Sequence, residues 1–96
     1  MRVRYTLRAQ ADLDAIYMYL DARAPAAAQS VKSAIARRVA LLADFPHMAP
    51  KTDVAGVYEL TIVRYPYHVY YEVDGDEVWI VHIRDARRRP WPESEQ

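Results

Sequence analysis

Arginine is the residue type in this chain best suited to holding a phosphate or a carboxylate in a defined orientation. Eleven of the thirteen basic residues are Arg, and four of them stand close together, at Arg84, Arg87, Arg88 and Arg89. A guanidinium group offers a fixed fork of donors that fits both anions, whereas an ammonium group is a flexible point charge. The cluster therefore predicts a surface for an anion or an acidic partner, with a solvated basic end of the chain as the plain alternative.

Two histidines, His68 and His82, fall in segments where apolar and polar residues alternate. An imidazole with its ordinary pKa of ~6.5 can act as an acid or a base near neutral pH. The two rings lie on separate segments and no third ligand accompanies them, so the spacing does not indicate a metal site. The two glycines cannot form a glycine-rich phosphate loop, and the serines lie away from any His. We therefore expect no metal and no cofactor.

Composition limits the protein to a small set of classes. The chain has 96 residues, 52% of them apolar, no cysteine and a formal net charge of zero. This size and apolar content support one core, and the balanced charge excludes a generally basic protein that coats nucleic acid. No apolar stretch is long enough to cross a membrane, and the charged residues near Met1 lead us to expect no signal peptide. We expect one cytoplasmic domain over residues 1–89, followed by a flexible tail over residues 90–96.

The apolar periodicity changes along the chain from a short strand to two helices and then to three strands. Thr6 is placed to cap the first helix, Pro25 to open the second, and Asp74-Gly75 to turn a hairpin. The expected elements are a strand over 2–5, helices from about 8 to 22 and 25 to 44, and strands over 57–63, 68–73 and 77–84. This order predicts a two-layer α+β domain, in which the helical hairpin packs on one face of an antiparallel sheet.

Alternation assigns the strand side chains to two faces of that sheet. The face beneath the helices is expected to carry Leu60, Ile62, Val69, Tyr71, Val73, Trp79, Val81 and Ile83. The opposite face is expected to carry Glu59, Thr61, His68, Tyr70, Glu72, His82 and Arg84, with Val63, Val78 and Ile80 among them. The second face is polar, ionisable and partly aromatic, which makes it the candidate functional surface.

The first helix has more apolar surface than one core needs. Beside its main stripe runs a second one, formed by Ala15, Met18, Tyr19 and Ala22. This second stripe packs either into the domain's own core or against the surface of another chain.

Several segments together resemble the small type II toxins of the RelE/ParE superfamily, and the ParE branch more closely. They are Ala11-Asp12-Leu13, Ile16 and Tyr19-Leu20 in the first helix, Pro46, Tyr58-Glu59-Leu60, the run from Tyr65 to Val73, and the run from Ile83 to Arg88. The resemblance covers residues 3–89. It implies a growth-arresting toxin that a cognate antitoxin neutralises, with the second stripe as the antitoxin-binding surface. It leaves open whether the chain forms a homodimer or only a toxin–antitoxin hetero-oligomer.

The resemblance implies three possible functions. ParE-like members poison DNA gyrase by protein contact, for which the target-binding residues here are Arg84, Arg87, Arg88, Arg89 and Trp91. RelE-like members cleave messenger RNA on the ribosome, and the residues available for that chemistry are Arg64, His68, His82, Arg84 and Arg87. The late tyrosine of the RelE branch has no counterpart after the arginines, so we favour binding over catalysis. The third possibility is a non-toxic relative that only binds its antitoxin.

Overall fold

The predicted order of elements is confirmed by the computed structural model, which describes residues 1–87. The elements are β1 (Arg2–Tyr5), α1 (Leu7–Arg23), α2 (Pro25–Leu41), β2 (Val57–Ile62), β3 (Tyr67–Asp74) and β4 (Glu77–Asp85). Helix α1 packs against β4 and helix α2 against β2, so the helical hairpin forms one layer and the sheet the other. The two-layer α+β class is therefore correct. Residues 90–96, predicted to form a tail, lie outside the described part of the chain.

The ends of the helices follow from local hydrogen bonding. The Thr6 hydroxyl accepts a hydrogen bond from the Ala9 amide at 3.1 Å, which caps α1 as predicted. Pro25 opens α2, where the missing N–H of proline costs nothing. Helix α2 ends at Leu41, three residues earlier than expected, because the next amides bond to carbonyls three residues back. The Asp44 amide, for example, donates to the Leu41 carbonyl at 3.1 Å.

The sheet has the strand order β1-β4-β3-β2. Strands β2, β3 and β4 pair antiparallel, as expected for a meander. Strand β1 pairs in parallel with the first half of β4, from Arg2 beside Glu77 to Tyr5 beside Ile80. The sheet is therefore mixed: the expected antiparallel pairing holds for β2, β3 and β4, whereas β1 joins the sheet in parallel. Gly75, with φ +62°, supplies the left-handed residue of the β3–β4 turn.

A β-bulge in β4 changes which residues of that strand face the helices. Tyr70 pairs with His82 but Tyr71 pairs with Ile80, so Val81 is the extra residue. The first half of β4 is shifted by one position, and Val78 and Ile80 are fully buried in the core. The predicted faces were therefore wrong for Val78, Ile80, Trp79 and Val81. They were right for Ile83, which lies beyond the bulge.

The core lies between the helices and the inner face of the sheet. Its largest fully buried side chains are Tyr71, Ile35, Leu42, Leu60, Ile62, Ile80 and Ile83. Trp79 instead lies on the outer face, where its indole N–H donates to Glu77 at 3.2 Å and the Arg4 guanidinium sits 5.7 Å from the ring centre. Neither helix within residues 1–87 is long and apolar enough to cross a bilayer.

Candidate functional site

Helix α1 takes over from β1 as the neighbour of β4 at the end of the sheet. Strand β1 reaches only Ile80, so the next residues of β4 have no strand on that side within residues 1–87. The Asp12 carboxylate fills the gap, because its Oδ2 accepts the Ile83 amide at 3.0 Å. The same oxygen lies 2.7 Å from His82 Nδ1. One side chain of α1 therefore fixes both the backbone and the imidazole at the end of β4.

His82 is held in the uncharged form by its surroundings. The residue is 8% exposed, and this burial lowers its pKa below the ordinary value. The Arg8 and Arg84 guanidinium groups act in the same direction, while Asp12 opposes them. A neutral ring that donates from Nδ1 to Asp12 presents Nε2 as an acceptor, and Arg8 Nη2 lies 3.5 Å from it. Both ring nitrogens of His82 are thus engaged by groups from α1.

Three aromatic rings stack across the outer face of the sheet. His82 lies 5.8 Å from Tyr70, and Tyr70 lies 6.4 Å from His68, with ring planes about parallel in both pairs. His68 Nδ1 contacts the Glu59 carboxylate on β2. Burial raises the pKa of Tyr70, with Glu59 adding to the effect and a hydrogen bond from Arg84 opposing it. The Tyr70 hydroxyl therefore remains protonated near neutral pH, and it serves as a fixed polar group rather than a base.

A groove of about 340 Å³ joins α1 to the end of β4. Helix α1 contributes Ala15 and Tyr19, and the end of the strand contributes Arg84 and Arg87. Residues from the two surfaces that the sequence indicated separately, the second stripe and the arginine cluster, therefore meet in one groove. Met18 and Ala22 extend the stripe along exposed α1, where Met18 is 72% and Tyr19 52% exposed.

Arg87 is already paired within the chain. Its Nε and Nη2 donate to the two oxygens of Asp85 at 3.0 and 2.6 Å, and its backbone amide also donates to Asp85. This forked contact raises the pKa of Arg87 and holds its exposed guanidinium in one orientation. Three other predicted target-binding residues, Arg88, Arg89 and Trp91, lie outside the described residues.

The residues named for a nuclease do not line a common groove. His82, Arg84 and Arg87 line the groove beside α1, whereas Arg64 lines a different one, between α2 and the end of β2. His68 lines neither of these two grooves. Arg64 also has a φ of +80°, an unusual conformation for a residue other than glycine. In the part of the chain from 1 to 87, no group of three or more His, Cys, Asp or Glu is arranged to hold a metal ion.

Reasoning from the sequence assigned no role to Asp12, although the residue organises this end of the sheet. Its position did carry a signal, because Asp12 precedes Ile16 by four residues and so shares a helix face with a partly buried side chain. A carboxylate beside a packed face requires a donor from a neighbouring element. His82 and Ile83 supply the donors, which only the tertiary structure could reveal.

Comparisons with known proteins point to one family. Residues 3–90 match the family model described as the ParE toxin of the type II toxin–antitoxin system parDE. The chain is 33% identical over 92 residues to a Sinorhizobium fredii (strain NBRC 101917 / NGR234) protein named as a toxin, Y4kP, covering 96% of this chain and 94% of that protein.

A solved structure from the chromosomal ParDE system of P. aeruginosa is similar to the whole fold. It superposes with a TM-score of 0.78 at 32% identity, covering 88% of this chain and 95% of the other. The resemblance noted in the sequence is thereby confirmed, and the chain belongs to the ParE toxin family of type II toxin–antitoxin systems.

Proposed function

We propose that this ParE-family toxin binds and poisons DNA gyrase through the end of β4, and that its cognate antitoxin neutralises it by covering α1. The observation that carries the proposal is the groove in which Ala15 and Tyr19 of α1 meet Arg84 and Arg87. A partner segment lying along the stripe would extend into this groove and cover the arginines. Neutralisation then follows from direct exclusion of the target, without a change in the toxin's fold.

The stripe has the properties of a helix-binding or coupled-folding surface. Met18 and Tyr19 are exposed apolar side chains on consecutive positions, with Ala15 and Ala22 one turn away on either side. Full burial of a side chain the size of Met18 contributes about 1.5–3 kcal/mol, which makes it a strong anchor. The Arg23 guanidinium lies 3.9 Å from the centre of the Tyr19 ring and holds that ring against the helix.

The chemistry of the site favours binding over RNA cleavage. A nuclease of the RelE type requires groups free to exchange protons at the 2′-hydroxyl and at the leaving oxygen. Here both nitrogens of the His82 ring face α1 groups, and His68 Nδ1 contacts the Glu59 carboxylate. Arg64, the phosphate-holding candidate, lines the groove beside α2. We therefore infer a target that is recognised as a protein surface.

The test is a gyrase reaction on relaxed plasmid with the purified toxin freed of antitoxin. We expect lost supercoiling and accumulated linear DNA. Arg87→Ala should abolish both effects, because it removes a guanidinium group that we propose contacts gyrase. Arg87 is exposed, so its loss leaves the core intact. Arg64→Ala, which removes an equal charge at the other groove, is the matched control and should poison gyrase like the parent protein.

Two results would contradict the proposal. Unaffected gyrase together with cleavage of messenger RNA on ribosomes would establish the nuclease alternative. Unaffected gyrase, intact messenger RNA and normal growth on induction would leave a non-toxic antitoxin-binding protein. Circular dichroism of each variant establishes that it is folded before its activity is compared.

A further inference from the structure

A second groove, of about 790 Å³, lies on the other side of the molecule between α2 and the end of β2. Its walls are mainly apolar, with Leu41 on the helix and Ile62 and Val63 on the strand side. Ala34 and Ala40 face it from α2, and their small side chains leave room between helix and strand. Leu41 and Val63 are both exposed although large and apolar. This surface is therefore apolar, concave and open.

Three arginines border this groove, and none of them has an acidic partner within residues 1–87. Arg37, Arg38 and Arg64 all line it, whereas the ion pairs of Arg4 and Arg87 lie elsewhere, each at 2.6 Å. The Arg38 Nε atom is buried and has no hydrogen-bond partner among the described residues. A buried donor of this kind is satisfied by an acceptor from outside, and a carboxylate fits a guanidinium best.

The exposed edge of β2 runs beside the same groove. At the start of the strand, the Glu59 amide donates to the Pro50 carbonyl and the Val57 carbonyl accepts the Thr52 amide, both at 2.9 Å. The outward backbone groups alternate along a strand, so those of Thr61 point the same way. On the edge of β2 away from β3, no segment of the described chain pairs with the strand beyond the bridge between Lys51 and Tyr58. The last part of β2 is thus an open edge.

We propose that this edge and groove bind an extended segment of a partner polypeptide in which apolar and acidic residues share one strand face. The segment adds a strand beside Thr61, and its apolar side chains enter the groove under α2, on the same face as Ile62. Carboxylates on that same face reach Arg38 and Arg64, which line the groove with Ile62. A second copy of this chain is a poor occupant, because a symmetric pair would bring six arginines to one interface. The proposal is separate from the gyrase and α1 assignments above.

The probe is a fluorescein-labelled peptide of about eight residues, the length of an ordinary strand. One set of its alternate positions holds valine or leucine together with glutamate, and the other set holds threonine. Its binding to the full chain is followed by fluorescence anisotropy, beside a peptide with lysine in place of each glutamate. We expect the glutamate peptide to bind and the lysine peptide to bind at least about tenfold more weakly.

Charge reversal tests whether the arginines of the groove are responsible. Arg38→Glu and Arg64→Glu should each weaken the glutamate peptide at least about tenfold and improve binding of the lysine peptide. Arg64 is exposed, so its variant remains informative if Arg38→Glu fails to fold. Arg23→Glu makes the same charge change at the end of α1 and should bind like the parent protein. In hydrogen exchange, the Thr61 amide should become protected when the glutamate peptide binds.

Three results would overturn the proposal. They are no binding of the glutamate peptide at millimolar concentration, equal binding of the two peptides, or unchanged binding by both Arg64→Glu and a folded Arg38→Glu. Because these assays contain no gyrase, their failure and the failure of the gyrase proposal are distinguishable.

Discussion

Replacing Asp12 by alanine should destabilise the fold more than replacing any other acidic residue of α1. The Asp12 side chain is 22% exposed and that of His82 10%, so the contact between them is mostly shielded from water. Alanine removes the acceptor of both the Ile83 amide and the His82 ring. A buried donor left without a partner costs about 1–3 kcal/mol. For His82 this cost is smaller, because a change of tautomer removes the proton from Nδ1. We therefore expect the free energy of unfolding to fall by about 2–3 kcal/mol.

The variant Asp12→Asn distinguishes the contribution of the hydrogen bonds to stability from that of the carboxylate charge. A single oxygen, Oδ2, accepts both donors, so the amide oxygen of Asp12→Asn can take its place. This variant should lose about 1 kcal/mol, because hydrogen bonds to a charged acceptor are stronger than those to a neutral one. Asp14→Ala is the control on the same helix, since within residues 1–87 Asp14 accepts only an exposed bond from Gln10 at 3.2 Å. Its effect should stay below about 0.5 kcal/mol.

The assay is urea unfolding followed by circular dichroism, with the free energy extrapolated to water. For a domain of this size, the loss expected for Asp12→Ala corresponds to a drop in Tm on the order of 15 °C. The reasoning is refuted if Asp12→Ala and Asp14→Ala have the same stability. It is also refuted if asparagine is as damaging as alanine, because the shared acceptor would then contribute nothing.

Three further predictions concern pH, backbone strain and the α1 stripe. Because the pKa of folded His82 lies below its ordinary value, the unfolded chain takes up protons first as the pH falls through ~6.5. Stability should therefore be retained above that pH and decline below it, and His82→Gln should flatten this part of a urea-unfolding series. Arg64→Gly should raise the free energy of unfolding by up to about 1 kcal/mol by relieving the positive φ. Gly75→Ala should lower the free energy of unfolding by about 1 kcal/mol through backbone strain alone, since no atom lies within 4 Å of the added Cβ. Equal effects of Arg64→Gly and Gly75→Ala in chemical denaturation would contradict the argument from positive φ. Met18→Glu should weaken antitoxin binding, measured by calorimetry, at least about tenfold while gyrase poisoning persists. The control Gln29→Glu, at an exposed position on α2, should change neither antitoxin binding nor gyrase poisoning.

The sequence predicts this fold well wherever a local signal determines the structure. Thr6, Pro25 and the Asp74-Gly75 turn each act on the backbone next to them, and each lies where the pattern placed it. The parallel pairing of β1 with β4 was not predictable, because a four-residue strand carries no information about its partner. The bulge at Val81 was also invisible, since one extra residue in a strand leaves the apolar composition unchanged while reversing the face of every residue before it.

The residue types of the candidate site were predictable, but the contacts between its residues were not. Alternation placed His68, Tyr70 and His82 on one face, and the structure brings the three rings into a stack. The pairing of Arg87 with Asp85 is local and could have been anticipated from their spacing. The contacts of Asp12 could not, because they join residues about seventy positions apart and depend on where β1 stops.

The bulge in β4 also bears on how reliably the β3–β4 hairpin reaches one register during folding. An unbulged hairpin in the register of the turn would leave Ile83 on the outer face and bring His82 and Arg84 to the inner one. An unbulged hairpin in the register of the strand ends would instead expose Val78 and Ile80. Both mispaired states leave apolar surface in water or place ionisable groups in the core, so each is higher in energy than the native pairing. The extra residue at Val81 thus lets both halves of β4 pair correctly with β3, and a chain lacking Val81 should place the same residues on the same faces in one regular register.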